Sequence, residues 1–473
     1  MVIRRVRAPR IDFSELRREL KVPERFPPAA QAEADEAAAH PPPAGDRADR
    51  TDIPLVTIDP PGSRDLDQAL CLTRRTDGFR VFYAIADVAA FVRPGGPLEE
   101  ETWRRGQTIY LPDGNVPLHP TSLSEGAASL LPDSDRAAVL WTIDLDTSGA
   151  TTDVRVERAT VRSRARLDYA GVQAGFDGRN APEPVALLPT VGRLLVDRGL
   201  DRGAVNLPLP EQEVEPDDGG YRLVLRAQLP AEEWNAQISL LTGMAGASLM
   251  LAGGVGLLRT MPPPRADAVG KLHAAAHALG IAWPSGASVG RVIAGIHPAD
   301  PRAAAFLDQA AELMRGAGYT AFDGPPPADP DHGAVAAPYA HVTAPLRRLA
   351  DRYASEACLA LFAGIPVPDW ARPALPKLPS VMADSDHVAG AAFRGAVDLT
   401  EAVLLRDRVG DTFDAGVLDV DASRASRPAS GVIALDDPPV RARCEGDLPL
   451  GERVRVKLIT ADPKRRTVLF ARA

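Results

Sequence analysis

Val56-Thr57-Ile58-Asp59-Pro60-Pro61-Gly62-Ser63-Arg64-Asp65-Leu66-Asp67-Gln68-Ala69-Leu70 is the stretch on which the reading of this chain turns. Val56, Thr57 and Ile58 are a short β-prone run, which predicts that Asp59 stands at the end of a strand. Pro60 to Ser63 force a loop. Asp65 and Asp67, two residues apart, project to one side of an extended segment. Ala69 to Leu72 is apolar again. Three carboxylates therefore crowd a tight turn between two runs of buried character. Like charges brought together cost free energy unless a cation or a hydrogen-bond network offsets them. An all-oxygen donor set suits a hard cation such as Mg²⁺ or Mn²⁺. The plain alternative is a solvated loop with Asp caps, because Asp-rich turns are common.

These residues resemble the metal-binding signature of the RNase II (RNB) family of exoribonucleases, T-I-D, five residues, then D-x-D-D. Gln68 stands where the family has its fourth Asp. The resemblance continues through Phe79–Phe91 (FRVFYAIADVAAF) and RGQTIYLPDGNVPLHPTSLSEGAASLLP, a long ordered match to the family's IADV…RG…YLPD…LS run.

A second chemical centre lies at Tyr339 to Gly364, YAHVTAPLRRLADRYASEACLALFAG. Pro345 suits the first turn of a helix and Thr343 its N-cap. Leu346, Leu349, Ala350, Tyr353, Ala357, Cys358 and Leu361 then form an apolar stripe. Arg347 and Arg348 fall in the first turn, where the macrodipole disfavours cations, so an anion is expected nearby. An Arg347–Asp351 pair at i, i+4 is the bland alternative. The segment resembles the family's Y-A-x-x-T-S-P-I-R-[RK] motif, with Ala344 for Ser and Leu346 for Ile.

The chain has 473 residues, too many for one core, with ordinary globular composition and a net charge of −9. That balance argues against coating nucleic acid non-specifically, though not against a local basic channel. Cys71, Cys358 and Cys444 lie far apart without a C-x-x-C, which fits a reducing cytoplasm and no zinc finger. Ile238 to Leu258 is uncharged and about the length of a spanning helix, but Gly253, Gly254 and Gly256 break it. It reads as a buried helix whose small residues let neighbours approach, and no membrane partner is expected.

Residues 1–50 read as a partly disordered arm with one short helix, FSELRRELK, leaving no room for the cold-shock domains that family members often carry. Residues 51–408 read as the catalytic unit and 409–473 as short alternating strands of a small OB-type barrel. Arg155, Arg158, Arg162, Arg164 and Arg166 form a basic stripe, suited either to phosphate contact or to a solvated strand edge. Arg453, Arg455, Lys457, Lys464, Arg465 and Arg466 suggest a basic barrel face. Helix is expected around Val397 to Arg408, after a Pro-rich linker at 365–379. Two motifs are decoys. Gly286-Ala287-Ser288-Val289-Gly290 lacks the strand of a nucleophile elbow, and Ser288 suits an N-cap. His273 and His277 are spaced for a metal but carry no Glu between them.

The resemblance implies an α+β fold, a mixed sheet with surrounding helices followed by the barrel. It implies 3′→5′ hydrolysis of single-stranded RNA to nucleoside 5′-monophosphates. The metal ligands would be Asp59, Asp65, Asp67 and Gln68, holding Mg²⁺ or Mn²⁺. Asp67 and Arg347 would be catalytic, with Arg347 on the scissile phosphate. Tyr169 would stack on a base near the cut end, and Tyr110, Arg348 and Arg394 would contact RNA. Phe393, Ser239 and Leu240 replace acidic residues common in the family, which leaves open a weak or inactive RNA-binding protein on the same fold. A cytoplasmic monomer is expected.

Overall fold

One long strand, Thr151–Asp168, ties the body together in a computed structural model that describes residues 2–42, 45–296, 300–421 and 429–473. Its first part pairs antiparallel with Asp135–Asp146 and its last part pairs parallel with Leu55–Asp59. The sheet runs Ala48–Asp49, Thr151–Asp168, Leu55–Asp59, Gln68–Arg75, Gly78–Ala86, Asp135–Asp146, and that last strand returns to the long one. Both faces are covered. Val56, Leu70 and Leu72 enter the main core, while Leu55, Ala69 and Cys71 enter a second core on the opposite face. Successive side chains alternate between faces, so a strand buried on both sides reads as a continuous apolar run.

The main core is closed by the helices Leu188–Arg202, Pro230–Gly253 and Leu349–Phe362. Pro230–Gly253 is long and apolar enough to cross a membrane, but here it packs inside the fold. Its glycines are points of close approach. A Cβ on Gly243 would stand 2.1 Å from the Tyr339 ring, and one on Gly253 would stand 2.2 Å from Leu361.

The N-terminal region is folded rather than an arm with one helix. Val2–Ala8 pairs with Gly220–Arg226, which pairs with Glu211–Asp217. Pro28–Ala39 seats Ala30 and Ala34 in the second core, and Phe13, just before the helix Ser14–Glu19, and Leu16 within it are buried. These apolar positions are too few for a core of their own and bury only against the body, which local pattern does not reveal. The helix expected near Val397 spans Leu378–Leu405, starting inside the Pro-rich stretch with Pro in its first turn.

The C-terminal strands close a barrel in the order Thr412–Val420, Ser430–Leu435, Arg441–Glu445, Thr467–Arg472, Arg453–Asp462. Phe413, Val417, Ile433, Val456, Leu458 and Phe470 fill it, as expected for an OB-type unit. Buried Glu401 staples the barrel to the body. Its Oε1 accepts from the Arg441 N–H at 2.9 Å and from Gln212 Nε2 at 2.7 Å, and that same amide donates to the Pro439 carbonyl at 2.7 Å.

Candidate active site

Register places the first carboxylate. The parallel pairing sets Asp59 opposite Asp168, at the end of both strands. Asp168 then caps the helix Tyr169–Asp177, accepting from the Gly171 N–H at 2.8 Å. Tyr169 therefore begins a helix beside Asp59. It is half-buried, and its hydroxyl accepts from Asn235 Nδ2 at 3.2 Å. Fully buried Tyr83 stands close to Asp59, Tyr169 and Ser239.

The loop after Asp59 is held from outside. Arg166 Nη1 donates to the Ser63 carbonyl at 3.1 Å. Ser129 Oγ donates to the Arg64 carbonyl at 2.6 Å and accepts from the Leu66 N–H at 3.0 Å. The loop delivers Asp65 to Tyr110, whose hydroxyl donates to Asp65 Oδ2 at 3.2 Å while its ring stays exposed. Asp67 is buried against the second centre. Its Oδ1 accepts from the Leu346 N–H at 2.7 Å, and its Oδ2 faces Arg347 Nε at 3.4 Å. Gln68 bridges the two centres as well, donating its side-chain N–H to the Thr343 carbonyl. An amide can do this and a carboxylate cannot, so the Asp-to-Gln departure has a structural role independent of any metal.

The segment before the helix is irregular, and it corrects the local reading. The helix begins at Leu349, not at Pro345, and Thr343 is not its cap. Thr343 Oγ1 instead lies 2.9 Å from Ser239 Oγ. Asp351 reaches back to accept from the Ala344 N–H at 2.7 Å and holds Arg348 through two bonds of 2.9 and 2.8 Å. The alternative Arg347–Asp351 pair does not form; Asp351 pairs with Arg348 instead, which occupies the guanidinium proposed for RNA contact. Arg347 is left exposed and turned to Asp67. His119, fully buried, donates through Nδ1 to the Leu346 carbonyl at 3.0 Å. Burial pushes this imidazole down to about 4, so it is neutral near pH 7. Thr108 N–H donates to the Arg347 carbonyl at 2.9 Å. Asp67, His119, Thr108 and Asp351 thus pin 344–348 with Arg347 at its tip. Sequence reading missed His119, Asn235 and Tyr83, because their partners lie far along the chain, and it gave Asp351 the wrong partner, because that follows from where the helix starts.

Burial sets the electrostatics. It pushes Asp59 up to about 6, aided by the charge of Asp65 and opposed by Arg347. It pushes Asp67 up to about 8, opposed by Arg347 and by the Leu346 N–H. Asp59 Oδ2 is buried without a hydrogen-bond partner. Carboxylates held this way favour an added positive charge, so the all-oxygen donors fit a hard cation. No group of three His, Cys, Asp or Glu lies close enough to cage one among the described residues.

Other expected contacts lie elsewhere. Arg394 is exposed on Leu378–Leu405, with Asp398 as its neighbouring carboxylate. The basic stripe is committed to protein partners. Arg155 holds Asp153, Arg158 holds Asp87 and Glu356, Arg162 holds Asp135, and Arg164 and Arg166 bond carbonyls of Thr51 and Ser63. On the barrel, Arg453, Arg455, Arg465 and Arg466 face Asp436, Asp414, Asp462 and Glu19. Ser288 caps its helix through the Arg291 N–H, and His273 stacks on Trp283 with ring centroids 3.7 Å apart.

The RNB domain family matches residues 47–361, and the RNase II-type exonuclease C-terminal S1 domain matches residues 411–473. The chain is similar to exosome complex exonuclease RRP44 homolog A of Arabidopsis thaliana, 29% identical over 389 residues, 77% of this chain and 41% of that protein. It is similar to ribonuclease R of Escherichia coli K12, 40% identical over 127 residues, 27% of this chain and 16% of that one. The matches thus span less than half the length of these two relatives. The apo form of Mycoplasma genitalium RNase R shares the fold, with a TM-score of 0.84 at 20% identity over 97% of this chain and 77% of that one.

Proposed function

Because this chain belongs to the RNB family and carries an RNase II-type S1 domain behind its catalytic unit, we propose that it is a metal-dependent 3′→5′ exoribonuclease releasing nucleoside 5′-monophosphates from single-stranded RNA. The observation that carries this reading is the meeting of Asp67 with Arg347 and the Leu346 N–H across the two centres. Asp59, Asp65 and Asp67 would hold the cation, with the RNA phosphate completing its oxygen shell. A divalent cation bound there supplies a lowered water pKa and charge neutralisation at the leaving oxygen.

The chain's own groups do the rest. Arg347, held by Asp67 at Nε, presents its remaining guanidinium N–H groups to the phosphate, where negative charge develops. The pinned 344–348 backbone supplies this group preorganised, so little reorganisation accompanies the chemical step. Tyr169 offers a ring face at the end of the Asp59 strand, and stacking accepts any base. Exposed Tyr110, tethered to Asp65, offers a second face. Incubation of the protein with end-labelled single-stranded RNA, Mg²⁺ or Mn²⁺, and a DNA control tests this. One-nucleotide steps on RNA alone, ending in mononucleotides, are expected.

The Gln68–Thr343 bond, which ties up the side chain standing at the family's fourth Asp position, favours a second reading, an RNA-binding protein with a silent site. The same incubation decides: tight RNA binding with no product at any metal concentration establishes the silent site.

A further inference from the structure

Away from the Asp67–Arg347 centre, a cavity of about 550 Å³ opens between the far end of the helix Tyr169–Asp177, the helix Leu188–Arg202 and the first turns of Pro230–Gly253. One wall is aromatic. Phe176 meets Trp234 edge to face, with ring centroids 5.7 Å apart. The absence of a side chain at Gly192 makes room for the indole, since a Cβ there would stand 2.4 Å from Trp234. The rim is cationic. Arg193 lies over the Trp234 ring at 5.1 Å, and Arg179 follows the helix in the left-handed region at φ 56°. Both arginines are exposed, and neither has a carboxylate partner among the described residues, unlike Arg155 or Arg162 of the basic stripe. Asp177 also lines the cavity, but it already accepts from Gln173 Nε2 at 2.9 Å.

Each feature narrows the ligand. Ring faces attract a flat aromatic group, and two guanidinium groups without a carboxylate partner among the described residues, Arg193 resting on the Trp234 ring, attract a phosphate. The volume falls within the range of about 300–1,000 Å³ usual for small-molecule sites. We propose that this cavity binds a nucleoside 5′-phosphate, with its base against Trp234 and Phe176 and its phosphate between Arg179 and Arg193. The choice of a nucleotide rests on the exoribonuclease reading. Tyr169 begins the helix at the cutting centre, and Asp177 ends it at the cavity, about 12 Å further along at 1.5 Å per residue. A released nucleotide, or one still joined to the strand, thus has a second holding place within reach.

Calorimetric titration in EDTA tests this without any contribution from catalysis. The titrants are 5′-AMP, adenosine, inorganic phosphate and a single-stranded RNA dodecamer. The proteins are wild type, Arg179→Gln and Arg193→Gln. Wild type should bind 5′-AMP more tightly than adenosine or phosphate, and each substitution should weaken 5′-AMP about tenfold, the usual worth of one charge-assisted contact. The dodecamer separates the sources. If the cavity takes a nucleotide of the strand, both substitutions weaken RNA as well; if it takes the free nucleotide, RNA affinity is unchanged. No binding of 5′-AMP at millimolar concentration, or equal affinity in all three proteins, overturns the proposal. Absence of RNA hydrolysis would sink the exoribonuclease reading and leave this titration intact.

Discussion

Asp351→Asn separates an Arg347 held in place from an Arg347 merely nearby. Asp351 is buried and serves three donors: the Ala344 N–H at 2.7 Å and two Arg348 N–H groups at 2.9 and 2.8 Å. Asparagine keeps one neutral acceptor for Ala344 and loses the charge that Arg348 answers. Removing one partner of a buried pair costs about 3–5 kcal/mol. Arg348 retains some solvent contact, with a side-chain exposure of 21%, which brings the expected loss nearer to 2–3 kcal/mol (a rough figure). The larger effect should be on rate. Arg347 is the residue just before Arg348 on the pinned segment, and displacing a catalytic group by about 1 Å costs on the order of 100-fold. Urea unfolding and the initial rate on labelled RNA in Mg²⁺ measure the two effects. RNA affinity measured in EDTA should change little. Asp351→Glu, which keeps the charge, should recover part of the rate. A variant that is destabilised yet cuts at the wild-type rate would show that the Asp351 brace does not position Arg347.

Three further outcomes follow from particular contacts. Gln68→Asp should weaken the tie to Thr343, because the amide donor is lost, while adding a charge near the cation site. A lower half-maximal metal concentration together with lower stability is expected, and an unchanged metal titration would remove residue 68 from the site. Tyr169→Ala should lengthen the final product more than it slows the first cuts, because stacking is worth about 1–3 kcal/mol per base; an unchanged end product on a gel would make Tyr169 a packing residue only. Burial pushes Glu401 up to about 7 from its ordinary 4.5. The folded chain therefore keeps a proton that the unfolded chain has lost, and the stability this provides is fully present below pH 4.5 and is lost as pH rises through 7. The full swing is about 3 kcal/mol, and Glu401→Gln, which preserves an acceptor for Arg441, should flatten it in urea unfolding between pH 4 and 8; a wild type whose stability is level over that range would contradict the assignment.

Local pattern carried most of the sheet and the barrel. Apolar runs such as Ala69–Leu72 read as buried, and the small residues of Ile238–Leu258 read as close packing in a helix; Gly243 against Tyr339 and Gly253 against Leu361 bear out the packing, but the helix spans Pro230–Gly253 and Val255–Leu258 belongs to a strand. Spacing was weaker where a boundary decides the partner. With the helix placed at Pro345, Asp351 falls opposite Arg347; with its start at Leu349, the side chain turns back to Arg348 and Ala344. Contacts made at long range left no local trace. Neither the His119 bond to Leu346 nor the Gln68 bond to Thr343 follows from the residues around it. Of the two readings of the arginine stripe, pattern alone did not choose, since Asp87, Asp135 and Glu356 reach it from other elements.

The most direct test of the central claim is the rate at which a 5′-labelled single-stranded RNA is shortened by wild type and Asp67→Asn, with RNA affinity measured alongside. Asp67 joins the two centres through Leu346 and Arg347, and neutralising it removes metal-assisted stabilisation worth several kcal/mol, or roughly a thousandfold in rate. The expected result is wild-type cleavage in single-nucleotide steps and a variant that binds RNA nearly as well but cuts at least a thousandfold more slowly. Equal rates for the two proteins would contradict the account.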